Sequence, residues 1–585
     1  MQIFLAYQLF KNISEEEINK RILNIENYFF HHFNKKNLIK GYSSLDHIGL
    51  IFWQPTLKHY SFPAWKENGD RSICTIYAPS GWEQIVKHKN EATAPFQLVE
   101  VLNRNPARFN QFTPPLIFSY LDKKRQELKI FNDGLGMAKL YCLKTDSGYF
   151  FSNKVSALYL FAKERAVMDK RGWHIFAQAG WFMGNSSSIK GSYRVQPGRS
   201  IILKNNQTTQ IKNLNLNSLD AWVNPRKREE QPFSEHVESI LTTTKSFFNM
   251  FDYPVTSMLS GGKDSRVTSA MMIKSGIDCS FRTIGPLKQE MEIAKLLLRR
   301  INLQDRHHII EKKDQNHKQN PIPLAERLSM LHVVFDGDYT PVKQTGMITK
   351  ASIYRLSNVL IGGTGGEIAI GKYYSNPEMR KKIIAKGSVG PEWRLLSSLS
   401  LDQAEACHDI KAEVRQVINE ALQLGLKGLE ILDYFFLKER VGRWDPKGGH
   451  FNSFTPFTTP SFITLAFKQT PLEKANFTLH KKLIHYLIPK WSTIPFYKAD
   501  IKKEKRDEKA EKKMRIWQNN DRHFVDEILY STQLWKEFFD EKKVLHFWQT
   551  AKKKGLFPRY EALFQRIVWL ASFKQHLSSL NQHIK

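Results

Sequence analysis

Cysteine is scarce in this chain, and long apolar runs are missing from it. Cys74, Cys142, Cys279 and Cys407 are the only four cysteines in 585 residues, widely separated and with no CxxC pair. That argues against a disulfide framework or a cysteine-built zinc site and points to a reducing compartment. The histidines show no HExxH or comparable metal spacing. No stretch approaches the ~18 consecutive apolar residues of a membrane span. The opening sequence MQIFLAYQLFKNISEEE has no basic leader and turns acidic at once, unlike a signal peptide. A soluble cytoplasmic protein with no membrane partner is expected.

Acidic residues are outnumbered: 57 Asp and Glu against 87 Lys and Arg give a formal net charge of +30. Such an excess admits a polyanionic partner such as tRNA, a phosphorylated substrate or an anionic membrane. The densest run, KKEKRDEKAEKK at 502–513, mixes both signs as a solvated segment does. No aromatic-interleaved basic motif of the RNA-binding kind occurs, so nucleic acid is not the expected partner. With 41% hydrophobic and 25% charged residues the chain is globular, and it is long enough for two or three domains.

Up to about residue 203 the chain reads mostly as short strands, in runs such as HIGLIFW, PLIFSYL and YRVQPGRSIIL separated by turn residues. The polar stretch 204–232 reads as a linker or boundary. After it, Val237, Ile240, Leu241, Phe247 and Phe248 have helical spacing, with Ser234 as N-cap. Then strand and helix alternate: YPVTSMLS, a glycine loop, RVTSAMMIKS closed by Gly276 at C′, CSFRTIG, EMEIAKLLLRRI and RHHIIE. This βαβ spacing predicts a parallel, doubly wound sheet. Beyond about residue 380 the pattern is predominantly helical, and no internal repeat occurs.

The glycine loop, SMLSGGKDSRVTSA at 257–270, is the most informative stretch. Ligands of open parallel sheets sit where strand ends run into helix N-termini. There Gly261 and Gly262 let backbone N–H groups face one anion, Ser260 and Ser265 add hydroxyl donors, and the next helix adds its dipole. Asp264 would repel a bare phosphate, so its expected task is to hold a Mg²⁺ that bridges to the phosphates. Neither GxxxxGK(S/T) nor GxGxxG spacing is present, so a P-loop NTPase and a dinucleotide dehydrogenase are not indicated.

Ser-Gly-Gly-x-Asp-Ser after a strand resembles the pyrophosphate loop of the ATP pyrophosphatases, which include asparagine synthetases, GMP synthetases and tRNA-modifying thiolases. Other stretches narrow the resemblance. IFNDGLGMAKLYC (130–142), FFSNKVSAL (150–158) and IKGSYRVQPGRSIIL (189–203) are similar to the end of the glutaminase half of asparagine synthetases. VLIGGTGGEIAIG (359–371) resembles their second nucleotide loop, Leu-Ser-Gly-Glu-Gly-x-Asp-Glu-x-Phe-x-Gly. SFTPFTTPSFITLAFKQTPLEK (453–474) resembles their Arg-x-Pro-Phe-Leu-Asp segment.

The resemblance, spanning about residues 115–500, implies an α/β protein of the asparagine-synthetase-like superfamily. An N-terminal Ntn-hydrolase-like β-sandwich, glutaminase-like, would occupy 1–215. A doubly wound parallel-sheet ATP-pyrophosphatase-like synthetase domain with a helical C-terminal part would occupy 233–585. It implies ATP and Mg²⁺ as cofactors, with Leu259, Ser260, Gly261, Gly262, Asp264, Ser265, Gly362 and Gly363 at the nucleotide. Asp264 and Glu367 are the implied metal ligands, and Glu367 and a lysine the implied catalytic residues. The lysine follows a Leu-Pro in the family; here YLIPKWSTIPFYK (486–498) points to Lys498, with Lys490 or Lys502 one register away.

Two departures bear on chemistry. A working glutaminase of this family carries a cysteine directly after the initiator methionine; here Gln2 stands there, and no cysteine precedes Cys74. A glutaminase fold without its activity is expected. In the second loop Gly363 and Gly366 are read opposite the family's Glu and Asp, and Glu367 alone survives, so Asp336 and Asp338 of FDGDYTP are candidate replacements. The implied reaction is adenylation of a substrate carboxylate followed by attack of an amine, as in β-lactam synthetases and lasso-peptide cyclases. The amine donor is a small molecule, a glycan, a peptide or free ammonia. The alternatives are a catalytically silent nucleotide-binding or scaffold protein and a tRNA-modifying enzyme.

Overall fold

In Ile3–Leu9 and Ile48–Pro55 every residue is buried. Side chains alternate along them: Ile3, Leu5, Tyr7 and Leu9 join one hydrophobic cluster, Phe4 and Ala6 another. Both faces of their sheet are therefore covered. The computed structural model describes the chain apart from residues 31–37, 57–61, 87–89, 91, 207–208, 215–218, 224–230, 286–287, 311–322, 339–358, 400–409, 444–452, 498–514, 518–520, 556–557 and 585.

The first sheet is antiparallel, in the order Ser192–Arg194, Tyr141–Thr145, Gly148–Ser152, Ile3–Leu9, Ile48–Pro55, Leu38–Leu45. The second runs Thr209–Asn213, Arg199–Lys204, Glu127–Asn132, Ile117–Asp122, Arg71–Ile76, Trp65–Asn68, also antiparallel. Phe4, Ala6, Leu50 and Phe52 of the first pack against Ile73, Phe118 and Tyr120 of the second. Helices Glu15–Phe30 and Val155–Ala162 cover the first sheet's other face. The arrangement is the sandwich expected of this half.

Reading this region as mostly short strands leaves out the helix Glu15–Phe30, although its buried Ile18, Ile22, Ile25 and Phe29 are spaced as a helix. Two further differences concern the stretch after the sandwich. Thr209–Asn213, inside the supposed linker, pairs with Arg199–Lys204. As an edge strand with four of its five residues exposed, it carries no apolar alternation to be read. Helix Phe233–Asn249 starts earlier than expected, capped by Pro232 without a side-chain bond, so Ser234 lies within its first turn and is not the N-cap.

Five parallel strands come next: Val255–Met258, Ser280–Ile284, His307–Ile310, Val359–Ile361 and Ser453–Phe454. Across the sheet they run third, second, first, fourth, fifth in chain order. The order reverses at Val255–Met258, so the crevice of this doubly wound sheet lies at the carboxyl ends of that strand and Val359–Ile361. Helix Lys263–Lys274 ends with Gly276 at φ 69°, as expected of C′. Helices make up most of the described chain after Pro377, ending in the 26-residue Pro558–His583. Its Phe564, Trp569 and Phe573 share a core with Leu324–Phe335 and the first sheet's helices. Among the described residues no helix is long and apolar enough to cross a membrane.

Candidate functional site

The two glycine loops leave the two strands that flank the reversal of strand order. Residues 259–262 connect Val255–Met258 to Lys263–Lys274, whose first turn completes the loop, and 362–366 come after Val359–Ile361. Leu259 is buried; its N–H donates to Arg282 O (3.0 Å) and its carbonyl accepts from Thr283 Oγ1 (2.7 Å), which fixes the root of the first loop.

Within that loop the serines bond each other. Ser260 Oγ and Ser265 Oγ are 3.0 Å apart, Ser260 N–H donates to Ser265 Oγ (3.1 Å) and Gly262 N–H to Ser260 Oγ (3.1 Å). One hydroxyl proton is spent inside the pair and one is left for a ligand. The N–H groups of Gly261, Lys263 and Asp264 make no hydrogen bond among the described residues. Lys263 and Asp264 open a 12-residue helix, so their N–H groups and the dipole suit an anion.

Glycine at 261 is required by close packing and not by a left-handed turn. Neither Gly261 nor Gly262 has a positive φ. A Cβ on Gly261 would instead lie 2.8 Å from Tyr497 Cβ and 3.1 Å from Ile293 Cδ1, so the glycine admits close neighbours. Tyr497 N–H donates to Gly261 O (2.8 Å). Buried Arg266 binds the same segment, donating to Ile494 O (2.5 Å) and Pro495 O (2.8 Å) and stacking 4.7 Å from the Phe496 ring centroid. Burial lowers its guanidinium to about 10, still charged at neutral pH. Tyr497 is the last described residue before Lys498; Lys498 and Lys502 lie outside the described residues, and Lys490 is exposed in the turn Pro489–Trp491.

Asp264 is where the segments converge. Its Oδ1 is 2.8 Å from Nε2 of the buried His480. A Cβ on Gly366 would lie 2.4 Å from Asp264 Oδ1, and one on Gly363 would lie 3.4 Å from Asp264 Cβ, so the second loop's backbone abuts the carboxylate. Burial pushes the Asp264 pKa up, but the His480 bond and the charges of His480, Lys263 and Lys372 outweigh it, and the carboxyl sits below its ordinary value. Phe457, 6.1 Å from the His480 ring centroid, wedges against Gly365 and Gly366. Thr455 Oγ1, donating to Thr364 O (2.6 Å), ties the 453–474 segment to this loop.

In the second loop a Cβ at 366 would lie 2.4 Å from Asp264 Oδ1, so the close approach of the two loops requires glycine there. Glu367 is half-buried and accepts from Gly365 N–H (3.3 Å). Gly362 N–H belongs to the sheet, donating to Phe454 O (2.7 Å), and is not a ligand donor.

Asp336 and Asp338 are not replacement ligands. Asp336 accepts from Val155 N–H (2.9 Å), Ser156 N–H (3.2 Å) and Ser156 Oγ, and Asp338 pairs with Lys139 Nζ (2.6 Å) and Tyr141 Oη (2.6 Å). Both are spent on the N-terminal sandwich. Among the described residues no three acidic, His or Cys side chains cluster as a metal site. The set fits Mg²⁺ only as it accompanies a nucleotide, where one or two carboxylates suffice and phosphates and water supply the rest. Asp264, ionised and with Oδ2 uncommitted among the described residues, meets that requirement.

At the start of the first strand, by contrast, Gln2 is buried and fully bonded. Its Nε2 donates to Gln54 Oε1 (2.6 Å), its Oε1 accepts from Tyr77 N–H (2.7 Å) and its carbonyl from Asn153 Nδ2 (3.0 Å). Cys74, Cys142 and Cys279 are buried, and burial pushes each thiol up, to about 12 for Cys142 and Cys279. None is poised as a thiolate.

No protein-family model matches the chain, and no curated protein does. Solved structures with some similarity include the allosteric regulatory enzyme of purine biosynthesis, at 8% identity and TM-score 0.25, covering 50% of this chain and 69% of that one. The glutamine phosphoribosylpyrophosphate amidotransferase from B. subtilis, complexed with ADP and GMP, is 9% identical over 77% of this chain and 94% of that one, TM-score 0.25. NMN synthetase from Francisella tularensis is 14% identical over 37% of this chain and 100% of that one, TM-score 0.18. These likenesses are too slight to bear on chemistry, which rests on the topology and contacts of the site itself.

Proposed function

We propose that the chain is an ATP-dependent amide-forming ligase of the asparagine-synthetase-like kind, drawing its amine from a source other than its own N-terminal half. The observation that carries this reading is the convergence of both glycine loops on Asp264 at the strand-order reversal of a parallel sheet. A carboxylate oxygen of the substrate attacks the α-phosphorus of ATP, the bond to the β-phosphate oxygen breaks, and pyrophosphate leaves. The amine nitrogen then attacks the activated carbonyl, loses a proton and expels AMP.

The chain's own part is positioning and charge neutralisation. The N–H groups of Gly261, Lys263 and Asp264 and the remaining serine proton hold phosphate oxygens. Lys263 and Lys372, the charges beside Asp264, attract the polyanion. Asp264, with Glu367 in the neighbouring loop, would hold a Mg²⁺ that neutralises phosphate charge when bound. Lys498 is assigned the transition-state charge on the strength of its place after Leu487 and Pro489 in the sequence. Filling of the strand start by Gln2 supports an external amine. A silent nucleotide-binding protein is the second reading, favoured by the sparse acid set around Asp264.

The test is exchange of labelled pyrophosphate into ATP across a panel of carboxylates: amino acids, short peptides and uronic acids. Exchange that requires both Mg²⁺ and one class of carboxylate is expected. Mg-ATP binding without exchange for any class would leave the silent reading in its place.

A further inference from the structure

The imidazole of His480 takes no part in the adenylation chemistry, yet it is the nearest hydrogen-bond partner of the carboxylate at the centre of the site. Helix Thr478–Leu487 begins at Phe477, itself in the left-handed region at φ 57°, and presents His480, Leu483, Ile484 and Leu487 to the interior. Three of these are apolar, as a buried stripe requires. The histidine is fully buried, and of its two nitrogens Nε2 reaches Asp264 Oδ1 while Nδ1 has no partner among the described residues. The carboxylate oxygen can only accept, so Nε2 carries the N–H of this bond and donates it to Oδ1.

The consequence for Asp264 is geometric. Oδ1 is held by His480 and walled by the Gly366 backbone, leaving no room even for a methyl group there. The bond to His480 thus holds Oδ1 in place, and Oδ2 is the oxygen left without a partner among the described residues. Phe457, packed between the imidazole and the second loop, keeps the ring from turning away. A ligating carboxylate fixed by a second hydrogen bond is the arrangement that makes a weak cation site selective for one geometry.

We propose that His480 is a positioning residue: by donating to Oδ1 it aims Oδ2 of Asp264 at the cation that accompanies the nucleotide. The inference rests on the ligase reading's assignment of Asp264. It differs from a packing role in one respect. What matters is the donor at Nε2, whereas packing needs only the volume of the ring.

Two variants separate these roles. His480→Phe keeps an aromatic ring beside Phe457 and removes the donor; His480→Gln keeps a donor and loses the ring. Binding of ATP is measured calorimetrically on the full chain, with excess EDTA and across a MgCl₂ titration, alongside melting temperature. Expected for His480→Phe is a rise of about 10- to 100-fold in the Mg²⁺ concentration for half-maximal binding, the usual scale for losing such a partner. ATP affinity in EDTA stays at the wild-type value, and His480→Gln recovers most of the loss. Equal Mg²⁺ dependence in wild type and His480→Phe overturns the proposal. So does a loss that tracks melting temperature in both variants without rescue by Gln, which is the signature of packing. A wild-type protein that binds no Mg-ATP removes the ligase reading and this inference with it, and so is distinct from a failure at His480 alone.

Discussion

Two strand ends of this chain that gather polar side chains are built to opposite effect. At the start of Ile3–Leu9, Gln2 is buried and both ends of its amide are bonded, to Gln54 and to Tyr77. At the end of Val255–Met258, the Asp264 side chain keeps 29% of its exposure, Gly363 is exposed and helix N–H groups stand without partners among the described residues. The first is closed by its own side chains; the second is shaped by glycines that leave backbone bare. One strand end is packed as core, and the other opens onto a loop and a helix N-terminus.

The largest expected effect that would sharpen this contrast is at Lys498. Lys498→Met should leave ATP affinity near normal and lower turnover by about 10²-fold or more, the scale of one preorganised electrostatic contact. AMP formation by Lys490, Lys498 and Lys502 variants side by side checks it; a collapse at a neighbour would mark a register error, and no change at any of the three would end the lysine assignment. Next comes Gly366→Ala, whose methyl would press on Asp264 Oδ1 from 2.4 Å. Displacing the carboxylate should weaken Mg-ATP binding by about tenfold, at a stability cost of about 1–3 kcal/mol for overpacking. Normal binding in a folded variant would mean that Asp264 is not where the nucleotide's cation sits.

On the closed side the expected effect is on stability alone. Gln2→Ala leaves Tyr77 N–H and Gln54 without their partner and should cost about 1–3 kcal/mol in urea unfolding, with ATP binding unchanged. The wild-type protein should not convert glutamine to glutamate; conversion that survives removal of contaminating enzymes would break the comparison outright.

The smallest effect concerns pH. Burial holds His576 at about 3, and burial with the neighbouring His576 holds His332 well below 6.5. Both rings lie between Leu324–Phe335 and Pro558–His583, with Tyr28 Oη 3.2 Å from His576 Nδ1 and Ser572 Oγ 2.8 Å from His332 Nε2. Below pH 6.5 the unfolded chain takes up protons that the folded one refuses, so stability is full above 6.5 and falls as pH drops toward 3. Melting temperature should decline over that range, less steeply in His576→Gln. An unchanged slope would show that these rings do not couple the C-terminal helices to the sandwich.

Much of the parallel-sheet half was legible because its signals are local. The alternation of strand and helix from residue 255 to 310 and the Gly-Gly loop each lie within a few residues, and the sheet forms where they predict it. What lay beyond the sequence is long-range. His480 is 216 residues from Asp264, and the trace it leaves is a polar residue in an otherwise apolar stripe. Arg266 reads as an ordinary first-turn arginine until Ile494 and Pro495 are brought to it. The requirement at Gly261 reads as turning freedom, whereas the structure makes it the approach of Tyr497. Asp336 and Asp338 look like spare acids because nothing in their own segment shows Ser156 and Lys139 opposite them.

The most direct test is calorimetric binding of Mg-ATP to the wild type and to Asp264→Asn, both checked for an unchanged fold by circular dichroism. Saturable, Mg²⁺-dependent binding to the wild type and its loss in Asp264→Asn are expected, since the amide keeps the shape but not the charge. Equal binding by both proteins, or none by either, would contradict this expectation.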